Sequence, residues 1–291
     1  MTAPSLDAIF AITPELCLIL LAVIVLLYDR ALKPSEHRNP ALITAWGTLV
    51  IIIITLGIWL IYDQPSNTPT QYWGGMISQD MYTMIFRLVF LLALLLTALI
   101  SIDVGKLQRG EYFALLISAT IGFSLMAAST DLMMLYVALE TAGISLYVLA
   151  GFTKGVYRSS EAGMKYFIYG AFATAVMLYG MSLLYGASGS LDLTEIGAAF
   201  SNDATLHTVI PLATLLTLAG LGFKASLAPF DENCQTTNIV FQILSHSDDP
   251  STLFQNRWFD RARPTIASSI LKMFSRVGLG CDIVPSNPDN R

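Results

Sequence analysis

Residues 131–153 read Asp-Leu-Met-Met-Leu-Tyr-Val-Ala-Leu-Glu-Thr-Ala-Gly-Ile-Ser-Leu-Tyr-Val-Leu-Ala-Gly-Phe-Thr, an apolar run of membrane-crossing length with one carboxylate, Glu140, near its middle. At 1.5 Å per residue, Glu140 lies about 13 Å from the start of the run, close to the midplane of a bilayer. That is the depth at which a charge costs most, so an ionisable group there is a functional candidate by default. Tyr136, Gly143 and Tyr147 fall on its face at i−4, i+3 and i+7, supplying hydroxyls and room for a close neighbour. The alternative is a protonated carboxyl that only ties helices together, its pKa raised by burial.

The rest of the chain repeats this pattern. Of 291 residues, 54% are hydrophobic and 13% charged, and the mean hydropathy is +0.61. A soluble domain would carry about 25% charged residues, so an all-α polytopic membrane protein is expected. Spans of roughly 20 apolar residues are predicted near 9–28, 41–62, 80–100, 111–129, 131–152, 161–185 and 207–230. The fourth and fifth are joined only by Ser129-Thr130-Asp131. Asp7 and Glu15, with no Lys or Arg, precede or open the first span, which argues against a signal peptide and for a retained helix.

Loop charges orient the bundle. Arg30, Lys33, Arg38, Lys106, Arg109, Lys154 and Arg158 fall in alternate loops, whereas loops 63–79, 129–131 and 186–206 hold no Lys or Arg. The positive-inside rule then puts the N-terminus outside and the last segment, with six Lys/Arg, inside. The outer loops are rich in Pro, Gly, Asn and Ser and read as turn-forming connectors. The net charge of −5 forms no basic patch that would recruit nucleic acid. Cys17, Cys234 and Cys281 and His37, His207 and His246 are scattered, without metal-ligand spacing. No Ser/His/Asp set, phosphate-binding loop or dinucleotide fingerprint is present.

Three more charges lie in or just within the spans. Lys224 sits in Gly222-Phe223-Lys224-Ala225-Ser226-Leu227-Ala228-Pro229-Phe230, with Thr217 and Gly220 on its own face. Glycines and a proline around a lysine describe an interrupted helix of the kind that marks ion sites in transporters. Burial lowers a lysine pKa toward release of its proton, and a carboxylate within reach raises it again. A Glu140–Lys224 pair would therefore take up and release one proton; the alternative for Lys224 is snorkelling to the inner interface. Lys165 follows Glu161 by four residues, the order that also makes a surface helix pair. Arg87 is expected to have a structural role, snorkelling outward or pairing with the protein interior.

Residues 131–153, Ser160-Glu161-Ala162-Gly163-Met164-Lys165-Tyr166-Phe167, Leu184-Tyr185-Gly186 with Gly189-Ser190, the segment from Gly222 to Phe230, and Pro14-Glu15-Leu16 closely resemble the N subunit of bacterial NADH-quinone oxidoreductase, respiratory complex I. The resemblance covers residues 1–230. It implies a proton-translocating subunit of the inner membrane, with Glu140 matching the family's fifth-helix glutamate, Lys224 its seventh-helix lysine and Lys165 a sixth-helix lysine. It also implies that this chain binds no cofactor. NADH, flavin, iron–sulfur clusters and quinone would belong to other subunits, and the partners would be the rest of the membrane arm. A multisubunit cation/proton antiporter or membrane-bound hydrogenase shares the fold. A non-transporting assembly protein is the reading from a different class.

The family continues after Pro-Phe with a His-x-Trp-x-Pro-type segment, a further helix with a lysine, and a second inverted repeat. Here Asp231-Glu232-Asn233-Cys234-Gln235 follows instead. Within 231–291 the apolar stretch 238–244 is too short to cross, and Ile266, Ile270, Phe274 and Val277 would form one short amphipathic face. The simultaneous loss of hydropathy and family wording points to a frameshift or foreign 3′ end. The resemblance then implies an antiporter-like fold cut before its second repeat, with a 61-residue polar tail, poorly ordered, and impaired transport.

Overall fold

The computed structural model describes residues 6–31, 39–61, 70–103, 107–153, 155, 157–202 and 209–224. The elements run α1 (Leu6–Ala31), α2 (Pro40–Ile61), β1 (Thr70–Tyr72), β2 (Ile77–Gln79), α3 (Met81–Ile100), α4 (Gly110–Ala128), α5 (Leu132–Ala150), α6 (Tyr157–Ser188), α7 (Leu193–Asn202) and α8 (Ile210–Lys224). Six of these, α1 to α6, are long and apolar enough to cross a membrane. The seventh expected span is represented by α8, 15 residues or about 22 Å. Residues 225–230 and the 231–291 tail, with Cys234, Cys281 and His246, lie outside the described residues, as do His37 and His207.

Each crossing helix hides one stripe. In α1 it is Ala8, Ala11, Glu15, Leu18, Leu21 and Val25, spaced by three and four residues, while Leu16, Leu20 and Leu27 on the other side are exposed apolar surface. That inversion of the soluble pattern, with apolar side chains outside as well as in, is what a lipid-facing helix requires. Buried hydroxyls are satisfied within their own helix: Thr44, Thr48 and Thr55 donate to the carbonyls four residues back at 2.7–2.8 Å.

Two apolar cores result, one among α1 to α4 around Leu18, Val25, Leu91, Phe113 and Ile117, the other among α5 to α8 around Leu139, Met177, Met181 and Ala213. They are joined where α4 meets α5. There Gly122 brings the backbones together, for a Cβ on it would lie 2.6 Å from Ala142 N and 2.8 Å from Ala138 O. Small residues serve this purpose in membranes, where lipid gives helices no hydrophobic reason to associate. The α6–α8 seam is built likewise, with Gly180 against Thr217 and Gly220 against the Ala173 carbonyl.

The two longer outer connectors carry more structure than turn chemistry predicted. Residues 70–79 form a β-hairpin whose turn uses left-handed Gly74 and Gly75, at φ +70° and +91°. Trp73 Nε1 donates to the Ala8 carbonyl at 2.9 Å, Thr130 N donates to Met76 O at 3.1 Å, and Leu132 N to Leu191 O at 3.0 Å. The three loops without Lys or Arg therefore meet at one end of the bundle. Within the third, the connector reading is corrected: α7 is a helix. Asp192 starts it by accepting from the Thr194 and Glu195 amides, and Ile196 buries itself in the α5–α8 core.

Candidate functional site

Asp131 begins α5 by accepting from the amides of Met133 and Met134 at 2.7 and 3.2 Å. Helical spacing puts Glu140, Gly143 and Tyr147 on one face of α5, the face that meets Thr174 of α6 and Lys224 of α8. Lys224, the last described residue of α8, reaches that face. Its Nζ lies 3.0 Å from Glu140 Oε1 and 2.6 Å from the Tyr147 hydroxyl. The side chains of Lys224 and Glu140 are 12% and 20% exposed, too enclosed for a snorkelling lysine. Thr174 of α6 donates to the same Glu140 oxygen at 2.8 Å.

Absent side chains create the space. A Cβ on Gly143 would come 3.0 Å from Lys224 Nζ and 3.3 Å from the Tyr147 hydroxyl. The ammonium also sits 5.1 Å from the Tyr147 ring centroid, within cation–π range. Tyr136, expected to serve Glu140, packs instead against the apolar core of α5 to α8. The hydroxyl that completes the site is that of Tyr147, and it bonds the lysine.

Lys165 has a different carboxylate partner. It pairs with Glu161 at 2.7 Å, and the two side chains are 59% and 42% exposed. It neighbours the site through Tyr166 and Phe167, which pack edge-on against Tyr147 at 4.7 and 6.0 Å between centroids. Among the described residues, no group of three or more His, Cys, Asp or Glu could hold a metal ion.

A second buried charge pair was only half anticipated. Arg87 of α3 pairs inward, its Nη2 3.0 Å from Glu15 Oε1 of α1, with both side chains almost wholly enclosed. Ser124 of α4 donates to the same oxygen at 2.5 Å. The arginine contact is a close charge pair without aligned hydrogen bonding, since Arg87 Nε and Nη2 and Glu15 Oε2 are buried without a hydrogen-bond partner. Thr174 was also missed, because a threonine inside a helix ordinarily bonds its own preceding turn.

Residues 129–232, which include the whole of α5, α6 and α8, match the family model described as NADH:quinone oxidoreductase/Mrp antiporter, TM. NADH-quinone oxidoreductase subunit N 2 of Koribacter versatilis is 34% identical over 237 residues, 78% of this chain and 47% of that protein. Subunit N of Desulfitobacterium hafniense is 41% identical over 186 residues, 63% of this chain and 37% of that protein. Among solved structures, a chain of respiratory complex I from Thermus thermophilus with bound aureothin superposes with TM-score 0.61 at 31% identity, covering 79% of this chain and 47% of its own. A chain of an archaeal membrane-bound sulfane sulfur reductase gives TM-score 0.64 at 23% identity, over 81% of this chain and 48% of its own, a likeness of fold alone. The chain spans about half the length of the curated relatives it matches.

Proposed function

We propose that this chain, whose residues 129–232 match the family model described as NADH:quinone oxidoreductase/Mrp antiporter, TM, is a membrane subunit of an NADH-quinone oxidoreductase and that Glu140 and Lys224 handle the proton it moves. The observation that carries the reading is the 3.0 Å contact between them inside the helix bundle. With the carboxylate adjacent, the ammonium form of Lys224 is favoured; with it withdrawn, an apolar setting favours the neutral amine. A rearrangement that withdraws the ionised carboxylate from the lysine therefore lets the ammonium pass its proton to a neighbouring acceptor, and their reunion takes a proton up from a donor. NADH oxidation and quinone reduction belong to partner subunits, and Lys165 extends the path on the strength of family resemblance.

The basic residues in alternate loops support an N-terminus outside, and the likeness to bacterial subunit N chains supports a location in the bacterial inner membrane. Residues 1–230 form the membrane unit and 231–291 a separate polar segment in the same proposal. The sulfur reductase chain shares 23% identity, below the 31% shared with the complex I chain by the same structural superposition and the 34–41% shared with subunit N chains, which favours the NADH-linked assignment.

The test is isolation of the full chain from detergent-solubilised membranes, followed by assay of proton uptake by vesicles. Co-purification of NADH-oxidising activity, with uptake diminished by Lys224→Ala, is expected. Recovery without any NADH-oxidising partner would sink the assignment to that complex, and undiminished uptake in Lys224→Ala would sink the role of the pair.

A further inference from the structure

Lys224 Nζ is nearer to the Tyr147 hydroxyl, at 2.6 Å, than to Glu140, at 3.0 Å. Tyr147 is buried, and its oxygen occupies a notch that two glycines leave open. A Cβ on Gly170 of α6 would collide with that oxygen and come within 2.5 Å of Tyr147 Cζ, while one on Gly143 would press against it from α5. Tyr166 and Phe167 hold the ring edge-on from α6. The phenol is thus fixed in place with its one polar atom aimed at the lysine.

A phenol and a carboxylate differ in what they can offer a lysine. An ionised glutamate only accepts hydrogen bonds, so it holds an ammonium strongly and an amine weakly. A tyrosine hydroxyl accepts from the ammonium and can turn to donate to the amine. The geometry points to Tyr147 as a positioning residue for Lys224, a second seat that retains the nitrogen in both protonation states. The inference rests on the Glu140–Lys224 reading above.

The two residues are seven apart on α5, about 10 Å along its axis at their backbones, but their oxygens converge on the one Nζ, with Tyr147 rooted farther from the hairpin end. A lysine that loses its hold on Glu140 is therefore kept, and kept on one side. Among the described residues, the titratable groups facing Lys224 are Glu140 and Tyr147 from α5. From α6, Tyr166 backs Tyr147, and Lys165 and Glu161 are paired with one another.

The experiment uses the full chain in lipid nanodiscs with nitrogen-labelled lysine, following the order of the Lys224 side-chain signal by magnetic resonance at neutral and at strongly alkaline pH. Lys224→Gln, which lacks that signal, assigns it. Tyr147→Phe removes a partner from the ammonium and from the amine alike, so the signal should lose order at both pH values. Gly170→Ala should act in the same direction by displacing the hydroxyl, with every titratable group retained. Order unmoved by Tyr147→Phe while Glu140→Gln lowers it would overturn the inference and leave Tyr147 as packing. A Lys224 signal unmoved in both shift and order by Glu140→Gln would instead overturn the underlying pair. Should Gly170→Ala fail to fold, the nearly isosteric Tyr147→Phe decides alone.

Discussion

Two buried ion pairs lie at nearly the same distance from the hairpin end of the bundle, yet they are built for opposite ends. Glu15 is about 13 Å along α1 and Glu140 about 12 Å along α5. The first faces an arginine, sealed to 1–2% exposure. The second faces a lysine, at 12–20% exposure and with a phenol as alternative partner. An arginine keeps its proton under all conditions a protein meets, whereas a lysine shifts its pKa readily when buried. The Glu15–Arg87 pair can only hold α1 to α3 and, through Ser124, to α4. The Glu140–Lys224 pair holds the kind of cation that the proposed proton transfer requires. Depth along the helices therefore does not separate the lock from the proposed proton site; the choice of cation and the nearby phenol do.

The sharpest way to break the comparison is to unpair the lock. Arg87→Met leaves Glu15 buried without its cation, and removal of one partner of such a pair costs about 3–5 kcal/mol. The variant should lose much of its resistance to thermal and detergent unfolding, read by monodisperse elution after heating. Adding Glu15→Leu should restore most of it, because a buried pair replaced by apolar residues is often neutral. A double variant as unstable as the single one would mean that the pair does more than lock.

Converting the second pair into the first is the complementary change. Lys224→Arg keeps a cation beside Glu140 but one that does not release its proton. Proton uptake by the assembled complex should fall about 100-fold, within the range that acid–base groups contribute, while unfolding resistance stays near that of the parent. Uptake retained in Lys224→Arg would show that the pair acts through its charge and not its titration.

These pairs were unequally legible. Glu140 and Lys224 announce themselves as charges inside apolar runs, and α8 brings them together as their helical positions suggested. Glu15 does so too, once α1 is seen to bury 8, 11, 15, 18, 21 and 25, but its proximity to the chain start drew attention to targeting signals instead. That Arg87 turns inward to Glu15 could not be read, because periodicity assigns a face and not a partner 72 residues away. The hairpin and α7 are short and stabilised by contacts among loops. Of these, α7 did leave a local trace, Asp192 followed by Glu195, a capping pattern three residues long. The boundaries of α1 to α6 followed hydropathy to within a few residues because lipid imposes length directly.

The packing between the two halves that carry these pairs should be more sensitive than either loop. Gly122→Ala places a methyl against Ala142 N and Ala138 O, backbone atoms that cannot swing away. A loss of about 1–3 kcal/mol is expected, as for overpacked cores, checked by the same heating assay. An unaltered variant would show that α4 and α5 have slack, and that the lock and the proton pair are mechanically independent.

The smallest effect belongs to the exposed end that both halves share. Hydrogen bonds from the Thr194 hydroxyl, then from the Thr194 and Glu195 amides, hold the Asp192 carboxyl below its ordinary value of 3.8. A depressed folded pKa means that its contribution is complete above about pH 4 and is lost as pH falls through the folded value. Amide exchange at Thr194 and Glu195 should therefore show, relative to unprotected amides, a modest loss of protection on acidification below pH 4. Asp192→Asn should abolish the acid dependence and leave the Lys224 side-chain signal untouched. Acid sensitivity that survives Asp192→Asn would locate the titrating group elsewhere, and a changed Lys224 signal would mean that this cap reaches the proposed proton site through α7 and the α5–α8 core.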